Sequence, residues 1–345
     1  MKRFEIIKVD DPKWSRLIFS SNQYDFYHTR AYSSLELSNK NEPLLCVAYW
    51  DNEFIALPIV IRKIEGTDLF DCTSVYGYCG PVSSVPPEDI SGEHIMYFQS
   101  RILNFFRERK IVSAFSRLHP ILDQSLFFSG FGTIKDVNNT VAIDLRLTPD
   151  EQARQYRKSH RYEIKQLYSR GFKVVEACEK SEIDLFIQIY REAMKSKNAD
   201  PYYYFPKEYF YLLLKNSCFK SKLLLIKYEK KIAAGAIFTL TKDFMQYHLA
   251  VSNQGYRKYA PMKLLLDNAR FIGIENKIKF LHLGGGINGN SDDSLYRFKA
   301  GFSDLRFMFK IWQLIVDEKL YYYLLDSLGN KIQNTDTYFP AYRAK

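Results

Sequence analysis

The chain has 345 residues, enough for one large or two ordinary domains, and its 46% hydrophobic and 26% charged content is ordinary for a globular protein. A formal net charge of +10 favours anionic partners such as phosphates, nucleic acid or an anionic membrane face, without choosing among them. Five cysteines without a CxxC pair argue against a disulfide framework or a zinc site, and the lack of a long apolar run excludes a membrane-spanning helix. The N-terminal stretch MKRFEIIKVDDPKW contains no signal-like apolar segment, so a cytoplasmic protein with no bound metal is expected. The 26 Tyr and 26 Phe suit either stacking on sugars or bases or a tyrosine-rich core.

In chain order, residues 12–40 read as helices, with Trp14, Leu17, Phe19, Tyr27, Tyr32, Leu35 and Leu37 as their apolar positions. A strand at Leu44–Trp50 turns at Asp51-Asn52 into a second at Phe54–Lys63, where Pro58 predicts a bend or an edge. The segment Val75–Ser84 holds two glycines and Pro81 among aromatics. It reads either as a substrate-facing loop carrying Tyr76 and Tyr78 or as a plain strand-ending turn. Pro86-Pro87 opens a helix to about Arg109, followed by strands at Ile111–Leu118 and Thr140–Leu147. Thr148-Pro149-Asp150-Glu151 is a helix start, and Gly171 reads as the stop of that helix. On a continuous helix Arg154, Arg157, Lys158, Arg161 and Lys165 would share one face, either simply solvated or facing an anion.

A strand at Phe172–Cys178 and helices at 181–197 and 206–216 come next. The strands LLLIKY, KIAAGAIFTL and FMQYHLAVS then form an antiparallel meander. The loop NQGYRKYAP leads to a helix at 261–275, and then to FLHLGGGINGNSDDSLYRFKAGFSD, Phe280–Asp304. There a short apolar strand ends in Gly284, Gly285 and Gly286, which permit close backbone approach. The acids Asp292 and Asp293 follow, and then a helix from Ser294 to Gly301 with Leu295, Phe298 and Phe302 on one face and Lys299 off it. A last strand at 305–316 and a helix at 317–328 precede the tail DTYFPAYR.

This order of elements matches the acyltransferase fold of the N-acetyltransferase (GNAT) superfamily. The segments RKSHRYEIKQLYSRGFKV, YHLAVSNQGYRKYAPMKLLL, LHLGGG and DSLYRFKAGFS resemble the FemAB-like branch, the peptidoglycan bridge-forming aminoacyltransferases. YGYCGP and YFPAYR are similar to relatives encoded with surface-polysaccharide genes. The resemblance implies an α/β (α+β) fold of two GNAT-like domains, with mixed, mostly antiparallel sheets flanked by helices. These would be 1–147 on the acceptor side and 148–345 on the donor side. It implies transfer of an acyl or aminoacyl group to an amine of a nucleotide- or lipid-linked sugar precursor. No permanently bound cofactor is implied; the donor is aminoacyl-tRNA or acyl-CoA. Peripheral membrane contact fits such an acceptor, and no DNA partner is expected.

The resemblance places Phe298-Lys299 near the donor ester and its developing oxyanion, and Arg161, with Arg157 and Lys165 beside it, at the acceptor phosphate. Otherwise Lys299 is a surface lysine. Tyr247, His248 and His282 fall near the expected cleft, where the histidines are either candidate bases or structural residues. At Gln254–Pro261 the second glycine of the usual CoA-pyrophosphate loop is missing, leaving Arg257, Lys258 and a helix N-terminus as phosphate partners. The helical-hairpin insertion of several tRNA-using relatives is not evident. Two other readings remain: an acyl-CoA-dependent N-acyltransferase on an amino sugar, and a non-catalytic RNA- or phosphate-binding module.

Overall fold

The computed structural model describes residues 2–38, 40–286, 293–327 and 338–344. The expected turn at Asp51-Asn52, with Asp51 at φ 48°, joins the longest paired strands of the first half. In chain order these elements are β1 (Arg3–Lys8), α1 (Lys13–Ser20), α2 (Arg30–Ser33), β2 (Asn41–Trp50), β3 (Glu53–Lys63), β4 (Phe70–Thr73), β5 (Val82–Ser83), α3 (Gly92–Glu108) and β6 (Ile111–Arg117). Next come β7 (Thr133–Asp144), α4 (Pro149–Gln155), α5 (Lys158–Ser169), β8 (Lys173–Glu176), α6 (Lys180–Ser196) and α7 (Lys207–Leu214). The remainder is β9 (Lys220–Tyr228), β10 (Lys231–Leu240), β11 (Phe244–Ser252), α8 (Met262–Glu275), β12 (Phe280–Gly284), α9 (Ser294–Lys299), β13 (Arg306–Ile315) and α10 (Glu318–Ser327). The fold is mixed α/β with mostly antiparallel strands, and no helix among the described residues is long and apolar enough to cross a membrane.

Contacts divide the chain into two units, residues 1–137 with 308–345 and residues 138–307. This differs from the expected cut at 147/148. The last strand is the reason: β13 pairs antiparallel with β6, Ile311 opposite Arg117 and Ile315 opposite Ser113, which takes the C-terminal segment into the first unit. Conversely the end of β7 pairs with β12, Ile143 opposite Leu281, and so belongs to the second.

Each unit repeats one strand order. The first runs β1-β2-β3-β4-β6-β13, antiparallel except for β4 and β6. The second runs β8-β9-β10-β11-β12-β7, antiparallel except for β11 and β12. A helix, α3 or α8, makes each parallel crossover, as such a connection requires. The core of the first unit packs Phe98, Ile102 and Phe106 of α3 against β2, β3 and β6. That of the second packs Leu264, Leu265 and Ala269 of α8, with Ile164 and Leu167 of α5, against β9 to β12.

Three local expectations change. β3 is an interior strand, and Pro58 is tolerated because it falls between the stretches that pair with β5 (55–56) and β4 (60–63). Pro86-Pro87 gives only a short 3₁₀ turn, and α3 starts later, where the Ser91 side chain accepts from the His94 N–H. The helix foreseen from 148 to 171 is two helices. Tyr156 and Arg157 are extended, because the Arg157 N–H leaves the helix to bond the Gly301 carbonyl at 2.8 Å. The five-cation face is therefore broken, and only Lys158, Arg161 and Lys165 keep helical spacing, all exposed on α5.

Candidate active site

Parallel pairing of β11 with β12 covers only Phe244–Gln246 and Phe280–His282. Beyond it β12 continues on β7 as far as Gly284, while β11 continues on β10 as far as Ser252, so the ladder between the two strands ends there. A bulge accentuates this. Ile237 and Phe238 of β10 oppose Leu249 and Tyr247, which leaves His248 as an extra residue in β11.

Gly284 turns the chain at φ 76°, a left-handed backbone that favours glycine. Gly285 lies close to the Asn139 carbonyl, where an added Cβ would sit 3.2 Å from the oxygen. Gly286 leaves room for the Asp293 side chain, which a Cβ would meet at 2.7 Å. That carboxylate in turn caps α9, accepting from the Leu295 and Tyr296 N–H groups at 2.8 and 2.9 Å. Asp292 lies outside the described residues.

Lys299 closes the arrangement. Its side chain turns inward, 8% exposed, and its Nζ donates to the Gly285 carbonyl at 2.6 Å. The ammonium also stands over the Tyr247 ring, 6.0 Å from its centroid. It thus reaches from the glycine turn after β12 to the part of β11 that no longer pairs with β12. Burial pulls its pKa down to about 8, while the Asp293 carboxylate acts in the opposite direction. An ammonium so placed is a strong hydrogen-bond donor in a site that excludes water. Phe298, beside it, packs on the core of this unit and on Phe302.

The other expected residues are placed as follows. Arg161 and Lys165 are exposed on α5, and Arg157 precedes the first turn of that helix. His248 turns to α7, its Nε2 3.2 Å from the Tyr209 hydroxyl, and His282 is fully buried with Nδ1 2.8 Å from Gln246 Oε1. Gln254–Tyr259 winds into a 3₁₀ helix with Arg257 and Lys258 exposed. The Lys263 and Leu264 N–H groups already donate to Ala260 and Pro261, so the start of α8 offers fewer free donors than an open anion loop does. Tyr76 and Tyr78 belong to the first unit. There Gly77 (φ 110°) lies against the Tyr27 ring, and Tyr32 donates its hydroxyl to the Tyr76 carbonyl.

Sequence reasoning passed over His160. Its ring is buried between α5 and α9, with Nε2 donating to the Phe298 carbonyl at 3.0 Å. The only trace in the sequence is its place four residues before Ile164 on the apolar side of α5.

Residues 154–299 match the acetyltransferase (GNAT) domain family. FemX has the same fold over nearly its whole length, with a TM-score of 0.72 at 11% identity, covering 92% of this chain and 99% of that one. L-PGS from Bacillus licheniformis aligns with a TM-score of 0.57 at 11% identity over 88% of this chain and 92% of that one. A tandem GNAT protein from the clavulanic acid biosynthesis pathway gives 0.52 at 9% identity, over 92% and 99%. No curated protein matches the sequence. The chain carries a GNAT acyltransferase domain in a FemAB-like fold. The match marks residues 154–299 as an acyltransferase domain.

Proposed function

We propose that this protein transfers an acyl or aminoacyl group to an amine on a nucleotide- or lipid-linked sugar precursor of the cell wall or a surface polysaccharide. The observation that carries the reading is the buried Lys299 ammonium, 2.6 Å from the Gly285 carbonyl at the end of the β11–β12 ladder. In this reaction the amine nitrogen attacks the donor carbonyl carbon and the carbonyl oxygen becomes an oxyanion. The C–O bond of an ester, or the C–S bond of a thioester, then breaks. The proton lost by the amine ends on the leaving oxygen or sulfur. Lys299, turned from Gly285 to that oxygen, would stabilise it by about 3 kcal/mol, the usual worth of one well-placed donor. The amine needs little help where it is an α-amino group or that of an amino sugar, since a pKa of about 8 leaves it partly neutral at pH 7. Arg161 and its neighbours on α5 would hold acceptor phosphate.

The donor is aminoacyl-tRNA or acyl-CoA. The missing second glycine and the occupied N–H groups at the start of α8 favour the former. The test is transfer of a labelled acyl group from charged tRNA or from acetyl-CoA to a UDP-amino sugar and to a lipid-linked precursor, with and without RNase. Label should move to one acceptor, and Lys299→Ala should lower the rate about 100-fold or more. Transfer that survives Lys299→Ala undiminished, or label that never moves, would overturn the reading.

A further inference from the structure

A helix of six residues cannot hold itself, because isolated helices become stable only at roughly 12–15 residues. The aim of Lys299 must therefore come from what grips α9 at its two ends. At the N-terminal end the grip is Asp293, bonded to two backbone N–H groups. At the C-terminal end it is α5. The Phe298 carbonyl accepts from His160 Nε2 at 3.0 Å as well as from the Gly301 N–H at 3.2 Å, and the Gly301 carbonyl accepts from the Arg157 N–H at 2.8 Å.

The His160 ring also fills the space over the last turn. Its centroid is 4.8 Å from that of Phe302, edge to face, and a Cβ on Gly301 would fall 2.4 Å from Nε2. Gly301 is thus required by the ring, at a backbone any residue could adopt. Because Nε2 gives its hydrogen to a carbonyl, Nδ1 carries the lone pair, and it is buried with no hydrogen-bond partner among the described residues. The imidazole is held neutral and in one tautomer.

We infer that His160 is the positioning residue for Lys299: its Nε2–H bond to the Phe298 carbonyl fixes the last turn of α9 and so sets where the Lys299 ammonium points. This rests on the role given to Lys299 above, and it adds a residue that touches neither donor nor acceptor.

Two substitutions separate position from bulk. His160→Leu keeps much of the volume and removes the donor, whereas His160→Gln can place an amide N–H where Nε2 stands. In the full-length protein, His160→Leu should lower kcat about 10- to 100-fold with KM for both substrates within about twofold, the pattern of a misplaced transition-state group. His160→Gln should recover kcat to within about fivefold. Hydrogen exchange at the Ala300 and Gly301 amides should quicken by about tenfold or more in the leucine variant and return in the glutamine variant. If the leucine variant does not fold, His160→Asn, whose shorter amide stops short of the Phe298 oxygen, takes its place. The exchange readout needs no activity, so it stands even if Lys299→Ala shows that lysine to be dispensable. Unchanged exchange and unchanged kcat in the donor-less variant would overturn the inference, as would equal losses in the donor-less and glutamine variants.

Discussion

The two units repeat one strand order and treat the end of their parallel pair in opposite ways. In the first unit β4 leaves β6 after Thr73, but the chain returns, and Cys79 bridges to Leu118 with its N–H on the Arg117 carbonyl at 2.9 Å. The space is filled by a buried polar network. His119 Nε2 donates to Asp25 Oδ2 at 3.0 Å, its Nδ1 accepts from the Ile121 N–H, and Gln124 links the His119 N–H to the Pro81 carbonyl. His28 takes the Asp25 N–H on Nδ1 and donates Nε2–H to the Cys79 carbonyl, and burial brings its pKa down to about 4. In the second unit the equivalent place holds Gly284–Gly286 and one buried ammonium. The first arrangement joins donors to acceptors and suits rigidity. The second keeps a cation in a site that disfavours its charge, which is a cost to folding and an asset only to chemistry.

That contrast can be broken in order of expected effect. Asp25→Ala should lower the stability of the first unit by about 3 kcal/mol, because it strands His119 and the Phe26 N–H, and urea unfolding would show it as an earlier transition. Lys299→Met should do the reverse. The folded pKa of about 8 lies below that of the unfolded chain, so the unfolded state binds more protons through the window up to about 10.5. The cost of the buried charge is thus fully present at pH 7 and fades as pH rises through that window. At pH 7 the methionine variant should gain about 2 kcal/mol in thermal unfolding while losing transfer. Arg161→Ala, on an exposed helix face, should raise KM for a phosphorylated acceptor about fivefold, leave kcat alone and weaken the salt dependence of KM.

Much of this was legible in the sequence. The meander of β9 to β11, the crossover α8 and the glycine turn were found within three residues, because apolar periodicity and Gly or Pro punctuation report local structure directly. What stayed hidden was non-local. No local signal says that β13 pairs with β6, or that the Arg157 N–H abandons its helix for Gly301. The pattern at Leu295, Phe298 and Phe302 put Lys299 off the apolar face, yet the lysine is buried, because a six-residue helix between a glycine turn and α5 has little solvent side at that position. His160 looked like one more polar residue in a basic run.

The most direct test is the pH dependence of kcat for the wild type and for Lys299→Arg. The acceptor amine, with a pKa of about 8, gives both proteins the same rising limb, so the ratio of wild-type to variant kcat isolates Lys299. If its protonated form stabilises the oxyanion, that ratio falls as pH rises through about 8. A ratio that stays level or climbs through pH 8 would contradict the role assigned to Lys299.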